Sequence, residues 1–84
     1  MVEAEALEER IRQGLGGVSH LAVTDLTGTK DHWEALIVSD AFAGKSRIQQ
    51  HQMVYAALGE WMSGPIHALA LKTYTPESWS KVEG

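Results

Sequence analysis

The chain contains no cysteine among its 84 residues. This absence excludes disulfide bonds, thiolate metal ligands and thiol-based redox catalysis by the chain acting alone. Long apolar runs are also missing, since no stretch approaches the roughly 20 residues that a membrane-spanning helix requires. If this protein handles a metal, its ligands must be imidazole or carboxylate groups.

Positive charge is scarce as well. Seven Lys and Arg residues stand against eleven Asp and Glu residues, which gives a net charge of −4. Broad binding to a phosphate backbone needs clustered Lys and Arg, so the composition argues against it. Acids occupy positions 3, 5, 8 and 9, where a signal peptide has basic and then apolar residues. We therefore expect a cytoplasmic protein, or one of an organelle interior after processing, with no membrane partner.

What the chain does contain is typical of one globular domain. Apolar residues make up 44% and charged residues 21% of the sequence. A chain of this length can bury one modest core but not two. We find no repeat and no internal boundary, so the prediction is a single domain over residues 1–84.

Hydrophobic spacing predicts the order of the elements. Ala4, Leu7, Ile11 and Leu15 recur at intervals of three and four residues, the pattern of an amphipathic helix. Strands are indicated by alternation or by short apolar runs bounded by turn residues. The predicted elements are a helix over 3–15, strands over 18–26 and 32–39, a loop over 40–44, a helix from the cap Ser46 to about 62, a strand over 66–73 and a short helix starting at Pro76.

This order predicts an α+β fold of αββαβ type, with a three-stranded mixed sheet, two helices on one face and a short C-terminal helix. A short turn makes the first two strands antiparallel, and the helical crossover makes the second and third parallel. Strand order is left open. His32 and His67, which open the second and third strands, lie about 5 Å apart if these strands are neighbours and about 10 Å apart if the first strand intervenes.

These two histidines are the main candidates for metal ligands. The topology brings both to one edge of the sheet, where Asp25 also ends the first strand. Imidazole ligates borderline metals, including cluster iron. Taken singly, each histidine is more simply explained as a locally hydrogen-bonded residue, and two nitrogens do not complete a mononuclear site. Asp25 as a third ligand is only a speculation.

A second group of candidates begins the second helix. Gly44-Lys45-Ser46 resembles the end of a phosphate-binding loop, but Ser39 stands where that loop requires glycine, so we reject nucleotide binding. Lys45 and Arg47 at a helix N-terminus would attract an anion or an acidic partner, although a solvated helix start is the simpler interpretation. The predicted apolar stripe of this helix consists of Ile48, His51, Val54, Tyr55, Leu58, Trp61 and Met62. On this stripe a structural role is favoured for His51 over a binding role. We nevertheless predict these three side chains as partner contacts.

Catalytic and stacking roles are not supported by the sequence. No nucleophile, base and orienting group occur in a recognisable arrangement, so we predict that the protein is not an enzyme. The aromatic residues Trp33, Trp61 and Trp79 are spaced as packing residues require, and packing is favoured over stacking on nucleic-acid bases.

The run from Val38 to Tyr55, together with Ile66-His67-Ala68, resembles the BolA family of small proteins that partner monothiol glutaredoxins in iron–sulfur cluster handling. The residues at family spacing are Phe42, Gly44, Lys45, His51, Val54 and Tyr55. The resemblance extends from the acidic first helix through residues 75–79. It implies an αββαβ fold similar to a type II KH domain, in agreement with the order predicted above.

The resemblance also implies a function. It suggests an adaptor or regulator of iron–sulfur cluster trafficking that binds a monothiol glutaredoxin. His67 corresponds to the family's C-terminal histidine, and His32 to the hairpin-loop ligand. Both would help to ligate a bridging [2Fe–2S] cluster shared with the glutaredoxin and its glutathione.

Two other functions remain as alternatives. A KH-like topology and the family's link to transcription suggest a nucleic-acid-binding transcriptional regulator. The negative charge and the absence of a Gly-x-x-Gly clamp between helices argue against it. The other alternative is an adaptor that docks on glutaredoxin without iron. The sequence does not decide whether the free protein is a monomer or a homodimer.

Overall fold

The computed structural model describes residues 3–26, 28, 32–63 and 68–83. The elements in these ranges are α1 (Ala4–Gly14), β1 (Val18–Asp25), β2 (His32–Ser39), α2 (Arg47–Leu58), β3 (Ala68–Tyr74) and α3 (Pro76–Glu83), with 3₁₀ turns at Asp40–Phe42 and Gly59–Ser63. The predicted α+β order is confirmed, and β2 has its predicted bounds. Within the described ranges no helix combines the length and apolarity needed to cross a membrane.

The sheet has the strand order β1-β2-β3. β1 pairs with β2 antiparallel, and β2 pairs with β3 parallel. The mixed sheet is therefore confirmed, and the strand order that the sequence left open is settled. The two strands that begin with His32 and Ala68 are direct neighbours, and these two residues are partners in the register.

The main core lies between one face of the sheet and the helices α1 and α2. Three alternate residues of β2, Trp33, Ala35 and Ile37, have at most 2% of their surface exposed. The helices contribute apolar residues one or two turns apart, Leu7 and Ile11 from α1 and Val54 and Leu58 from α2. Burial of each large side chain of this kind stabilises a fold by about 1.5–3 kcal/mol. Both long helices thus pack on one face, as predicted.

The short helix α3 covers part of the opposite face. His20, Val38 and Tyr74 form a cross-strand row on that face. The ring of Trp79 in α3 stacks on His20 at a centroid distance of 5.1 Å and contacts Tyr74 at 5.3 Å. Val38 is therefore only 1% exposed, although it points away from α1 and α2.

The other two tryptophans also serve packing. Trp33 is 2% exposed within the core, and Trp61 packs against the core from the 3₁₀ turn after α2. The guanidinium carbon of Arg10 lies 4.6 Å from the centroid of the Trp61 ring. This cation–π contact joins α1 to the end of α2. The predicted packing role of all three tryptophans is confirmed.

The limits of α2 correct the prediction at one end. Ser46 caps the helix through a reciprocal arrangement with Gln49, as a helix start of this type requires. The α-helix ends at Leu58 rather than near residue 62, because Gly59 takes a φ of +59°. A left-handed backbone angle is incompatible with a continuing α-helix.

The apolar stripe predicted for α2 is wrong at two positions. Ile48 and Tyr55 are 72% and 41% exposed. The helix instead turns Met53 and Ala57 toward the core, alongside Val54 and Leu58. The half-buried Gln50 contributes to this rotation, since its Oε1 accepts a hydrogen bond of 2.7 Å from the Thr73 hydroxyl of β3.

Two further segments differ from the prediction. Residues 40–44 were predicted as a loop, but Asp40–Phe42 forms a 3₁₀ turn. The Ser39 hydroxyl accepts a hydrogen bond from the Ala41 amide and donates one to the Gly16 carbonyl, which seats Phe42 in the core. β3 runs to Tyr74, one residue beyond its predicted end. The predicted strand residues 66 and 67 lie outside the described residues.

Candidate functional site

His32 lies at one end of the central strand, half-buried, where β2 enters the sheet. Its carbonyl accepts a hydrogen bond of 2.9 Å from the Leu26 amide, which closes the hairpin between β1 and β2. Its register partner on the other side is Ala68, the first residue of β3. We call this end of the sheet, defined by Asp25, His32 and Ala68, the His32 edge.

The side chains at the His32 edge project to two different faces. Trp33 is buried against the core helices, so its neighbour His32 lies on the opposite face. Asp25 is the register partner of Trp33 and therefore lies on the core face. Its Oδ1 accepts a hydrogen bond of 3.0 Å from the Gly28 amide in the hairpin turn. Asp25 is at the predicted edge, but it faces away from His32 and is poorly placed as a third ligand beside it.

His67 lies outside the described residues. The structure does place its chain neighbour, Ala68, directly beside His32. Strand alternation predicts that His67 shares the face of Leu69 and Leu71, and these two residues lie on the core face, in register with Trp33 and Ala35. The proximity of the two imidazoles therefore stays a prediction.

The described residues do not form a complete metal site. No group of three or more His, Asp or Glu side chains within the described ranges is arranged to hold a metal ion. A metal centre at the His32 edge would therefore need further ligands, from residues outside the described ranges such as His67 or from a partner. An imidazole at a strand end suits such a shared ligand set, because it can reach beyond the edge of the sheet.

The predicted partner contacts lie elsewhere. Lys45 and Arg47 are exposed at the start of α2, and His51 is half-buried one turn later. Arg47 and His51 line a cavity together with residues 71–74 of β3. At about 3.3 Å per residue along the strand, this cavity lies on the order of 15 Å from Ala68. The structure therefore separates the described site residues into two groups. The first is His32 at the His32 edge, and the second is Lys45, Arg47 and His51 at the start of α2.

Lys72 lies among the second group and had no role in the sequence prediction. It is 3.1 Å from the Glu34 carboxylate of the neighbouring strand. A lysine directly after the apolar residues 68–71 of β3 is typical of an edge strand, because a charge there discourages unwanted pairing. That signal was present in the sequence.

Comparison with known proteins agrees with the fold and the motifs. A family model described as BolA-like protein matches residues 6–78. The DNA-binding transcriptional regulator BolA of Escherichia coli is 34% identical over 90 residues, which cover 99% of this chain and 85% of that protein. BolA-like protein 1 of Bos taurus is 43% identical over 54 residues, covering 64% of this chain and 40% of that longer protein.

Solved structures give the same result. The crystal structure of a bol-like protein from Babesia bovis superposes with a TM-score of 0.87 at 34% identity and covers 100% of this chain and 96% of that one. The names of these relatives describe a regulator and BolA-like proteins, not enzymes. From the family match, the shared sequence and the shared fold, we conclude that this chain belongs to the BolA-like protein family.

Proposed function

We propose that this domain is an adaptor or regulator of iron–sulfur cluster trafficking. It would bind a monothiol glutaredoxin and help to ligate a bridging [2Fe–2S] cluster through His67 and His32. The observation that carries the proposal is the register of the parallel strands, which pairs His32 with Ala68, the residue directly after His67. Because strand alternation predicts the two imidazoles on opposite faces of the sheet, they would have to meet beyond its edge, around the ends of the two strands.

The ligand chemistry supports sharing rather than a resident cluster. Because the chain has no cysteine, the thiolates of such a cluster would come from the glutaredoxin and from glutathione. Replacing two thiolates by imidazoles, as in Rieske centres, raises the reduction potential of a [2Fe–2S] cluster. It also makes ligation pH-dependent, since a protonated imidazole cannot bind iron. This domain would thus adjust both the potential and the stability of its cargo.

The hairpin gives His32 a fixed base for this role. The hydrogen bond from the Leu26 amide to its carbonyl and the pairing with β3 hold its backbone on both sides. The buried neighbour Trp33 prevents the strand from slipping, because a one-residue shift would expose that ring. The chain thereby fixes the backbone of His32, which supports a ligand role without a large rearrangement of the strand.

The test mixes the protein anaerobically with a cluster-loaded monothiol glutaredoxin and follows visible circular dichroism and gel filtration. We expect a changed spectrum and a stable complex for the wild type, loss of the spectral change in His67→Ala, and a weaker change in His32→Ala. His20→Ala is the matched control, because it removes an imidazole from the far end of the sheet. Its spectrum should equal that of the wild type.

Pulsed EPR on the reduced complex then identifies the ligands. Nitrogen couplings that disappear in His67→Ala would support direct ligation. An unchanged dichroism spectrum together with separate elution of the two proteins would overturn the proposal. A complex that forms but contains no iron would instead favour an adaptor that docks without a cluster.

Nucleic-acid-dependent regulation is the second candidate. It is favoured by the name of the Escherichia coli relative, a DNA-binding transcriptional regulator that matches 99% of this chain. The net charge of −4 is the observation against it. The two candidates differ in how strongly binding should depend on salt, because only contacts with phosphates release many counterions.

A further inference from the structure

A groove lies between strand β3 and the first turns of helix α2. It is at the end of the sheet opposite to the His32 edge. Its cavity volume is about 160 Å³, enough for a few small groups, and its lining residues are Arg47, His51, Leu71, Lys72, Thr73 and Tyr74. We call it the α2–β3 groove. It takes no part in the cluster proposal above, so the two can be tested separately.

The groove follows the unpaired edge of β3. Leu71 and Thr73 are in register with core-facing residues of β2, whereas Lys72 and Tyr74 belong to the opposite face. Four consecutive residues of alternating faces can line one cavity only if that cavity runs along the edge of the strand. β2 occupies the other edge of β3, and no further strand pairs with it in the described part of the chain. An edge of this kind presents backbone donors and acceptors to an incoming extended chain.

The charges around the groove favour an acidic ligand. Arg47 is exposed, and within the described residues it has no ion-pair partner. α2 contains no Asp or Glu, and its N-terminus carries partial positive charge. Lys72 is 56% exposed at its side chain and already contacts Glu34 of β2, and the described residues that line the groove include no acid. Arg47 is therefore the cation available to a new carboxylate.

The inner wall of the groove also contains an unsatisfied polar atom. His51 Nε2 is buried, and it has no hydrogen-bond partner among the described residues. Leaving such an atom unpaired costs free energy, because the hydrogen bonds it makes to water in the unfolded chain are not replaced. A polar ligand that forms a hydrogen bond with this nitrogen would recover that free energy.

We infer that the α2–β3 groove binds an extended acidic segment of a partner protein. The segment would add a fourth strand along β3 and place one carboxylate on Arg47. Nucleic acid fits this groove less well than a peptide. A strand edge offers alternating N–H and C=O groups, which match a peptide backbone. Among the described residues, only two cations, Arg47 and Lys72, line the groove. Phosphate chains need several cations in a row.

The experiment selects ligands from a phage-displayed library of random octapeptides against the intact protein. Selected peptides should be enriched in Asp and Glu. In a titration of isotope-labelled protein, a synthetic copy should shift the amide resonances of residues 47–51 and 71–74. Its affinity should fall at least tenfold when its acids become amides, and backbone N-methylation at alternate positions should abolish binding.

The protein variant for this test is Arg47→Glu, which should also bind the peptide at least tenfold more weakly. An acid in the first turn suits the helix dipole, so the variant should remain folded. Arg12→Glu makes the same charge change at an exposed position of α1 and should bind like the wild type. The inference would be overturned if no peptide is selected, or if the selected peptides are not enriched in acids. It would also be overturned if Arg47→Glu binds the peptide as tightly as the wild type does, or if an oligothymidylate binds the groove more tightly than the peptide.

Discussion

Gly14 is the residue at which α1 meets the backbone of α2. A Cβ built at Gly14 would overlap the Ala57 methyl group and lie 2.8 Å from the Ala57 Cα. Because the neighbouring atoms belong to another helix, they cannot move aside without shifting it. We expect Gly14→Ala to lower the free energy of unfolding by about 1–3 kcal/mol, the usual cost of overpacking. Urea unfolding followed by tryptophan fluorescence measures it.

Gly16 provides the control for that substitution. A Cβ at Gly16 meets nothing within 4 Å, so Gly16→Ala should change stability by no more than a few tenths of a kcal/mol, or raise it slightly by restricting the unfolded chain. Equal destabilisation by both variants would show that the contact with Ala57 does not explain the effect.

Individual site residues could be predicted from the sequence only in part. The position of His32 followed from the strand start, and the structure confirms it. The orientation of Asp25 did not follow, because the register that pairs it with Trp33 depends on the length of the hairpin turn. The groove around His51 was also missed, since it requires knowing which strand lies beside α2.

The elements themselves were better predicted than their mutual arrangement. A short apolar run after turn residues predicted β2, and the cap at Ser46 predicted the start of α2; the structure confirms both. Strand order depends on packing across the whole sheet, although Lys72 was a usable sign that β3 lies at an edge. The prediction of the buried face of α2 is wrong because hydrophobicity alone places Ile48 toward the core. In the structure Gln50 accepts a hydrogen bond from Thr73 of β3, and this orientation of the helix leaves Ile48 exposed.

Helix α3 is an element whose attachment to the fold can be tested on its own. Thr75 caps it through reciprocal hydrogen bonds with Ser78, and Trp79 provides its stacking contacts on the sheet. We expect Trp79→Ala to detach α3 and uncover Val38 while leaving the core between α1 and α2 intact. Amide hydrogen exchange should therefore rise at least tenfold in α3 and change little in α1 and α2.

Ser80→Ala is the comparison for that variant, because residue 80 is exposed on the same helix. Its exchange pattern should match that of the wild type. If Trp79→Ala raises exchange equally in all helices, α3 is part of the same cooperative unit as the main core, and the idea of a separately attached helix is wrong.

The whole molecule carries its charges unevenly. Acids at positions 3, 5, 8 and 9 are concentrated in and just before α1, whereas Lys45, Arg47 and Lys72 lie around the start of α2 and the edge of β3. An acidic protein with one small basic region can attract an acidic partner there while repelling a polyanion elsewhere. This asymmetry favours a protein partner over a long nucleic acid.

Salt dependence of DNA binding separates these two kinds of partner. Three cations can neutralise at most three phosphates, so the slope of log K against log salt should not exceed about 3 in magnitude. The protein should bind a 20-base-pair duplex no more tightly than nonspecific binders do, whose Kd is about 10⁻⁴–10⁻⁶ M at physiological salt. Fluorescence anisotropy at four salt concentrations gives both values, with Arg47→Glu and Arg12→Glu locating the contact. A slope of about 6, or sequence-specific binding with a Kd below about 10⁻⁷ M, would contradict this expectation. Three clustered cations cannot supply so many phosphate contacts. Such a result would require a larger basic surface, for example one assembled by a second copy of the chain.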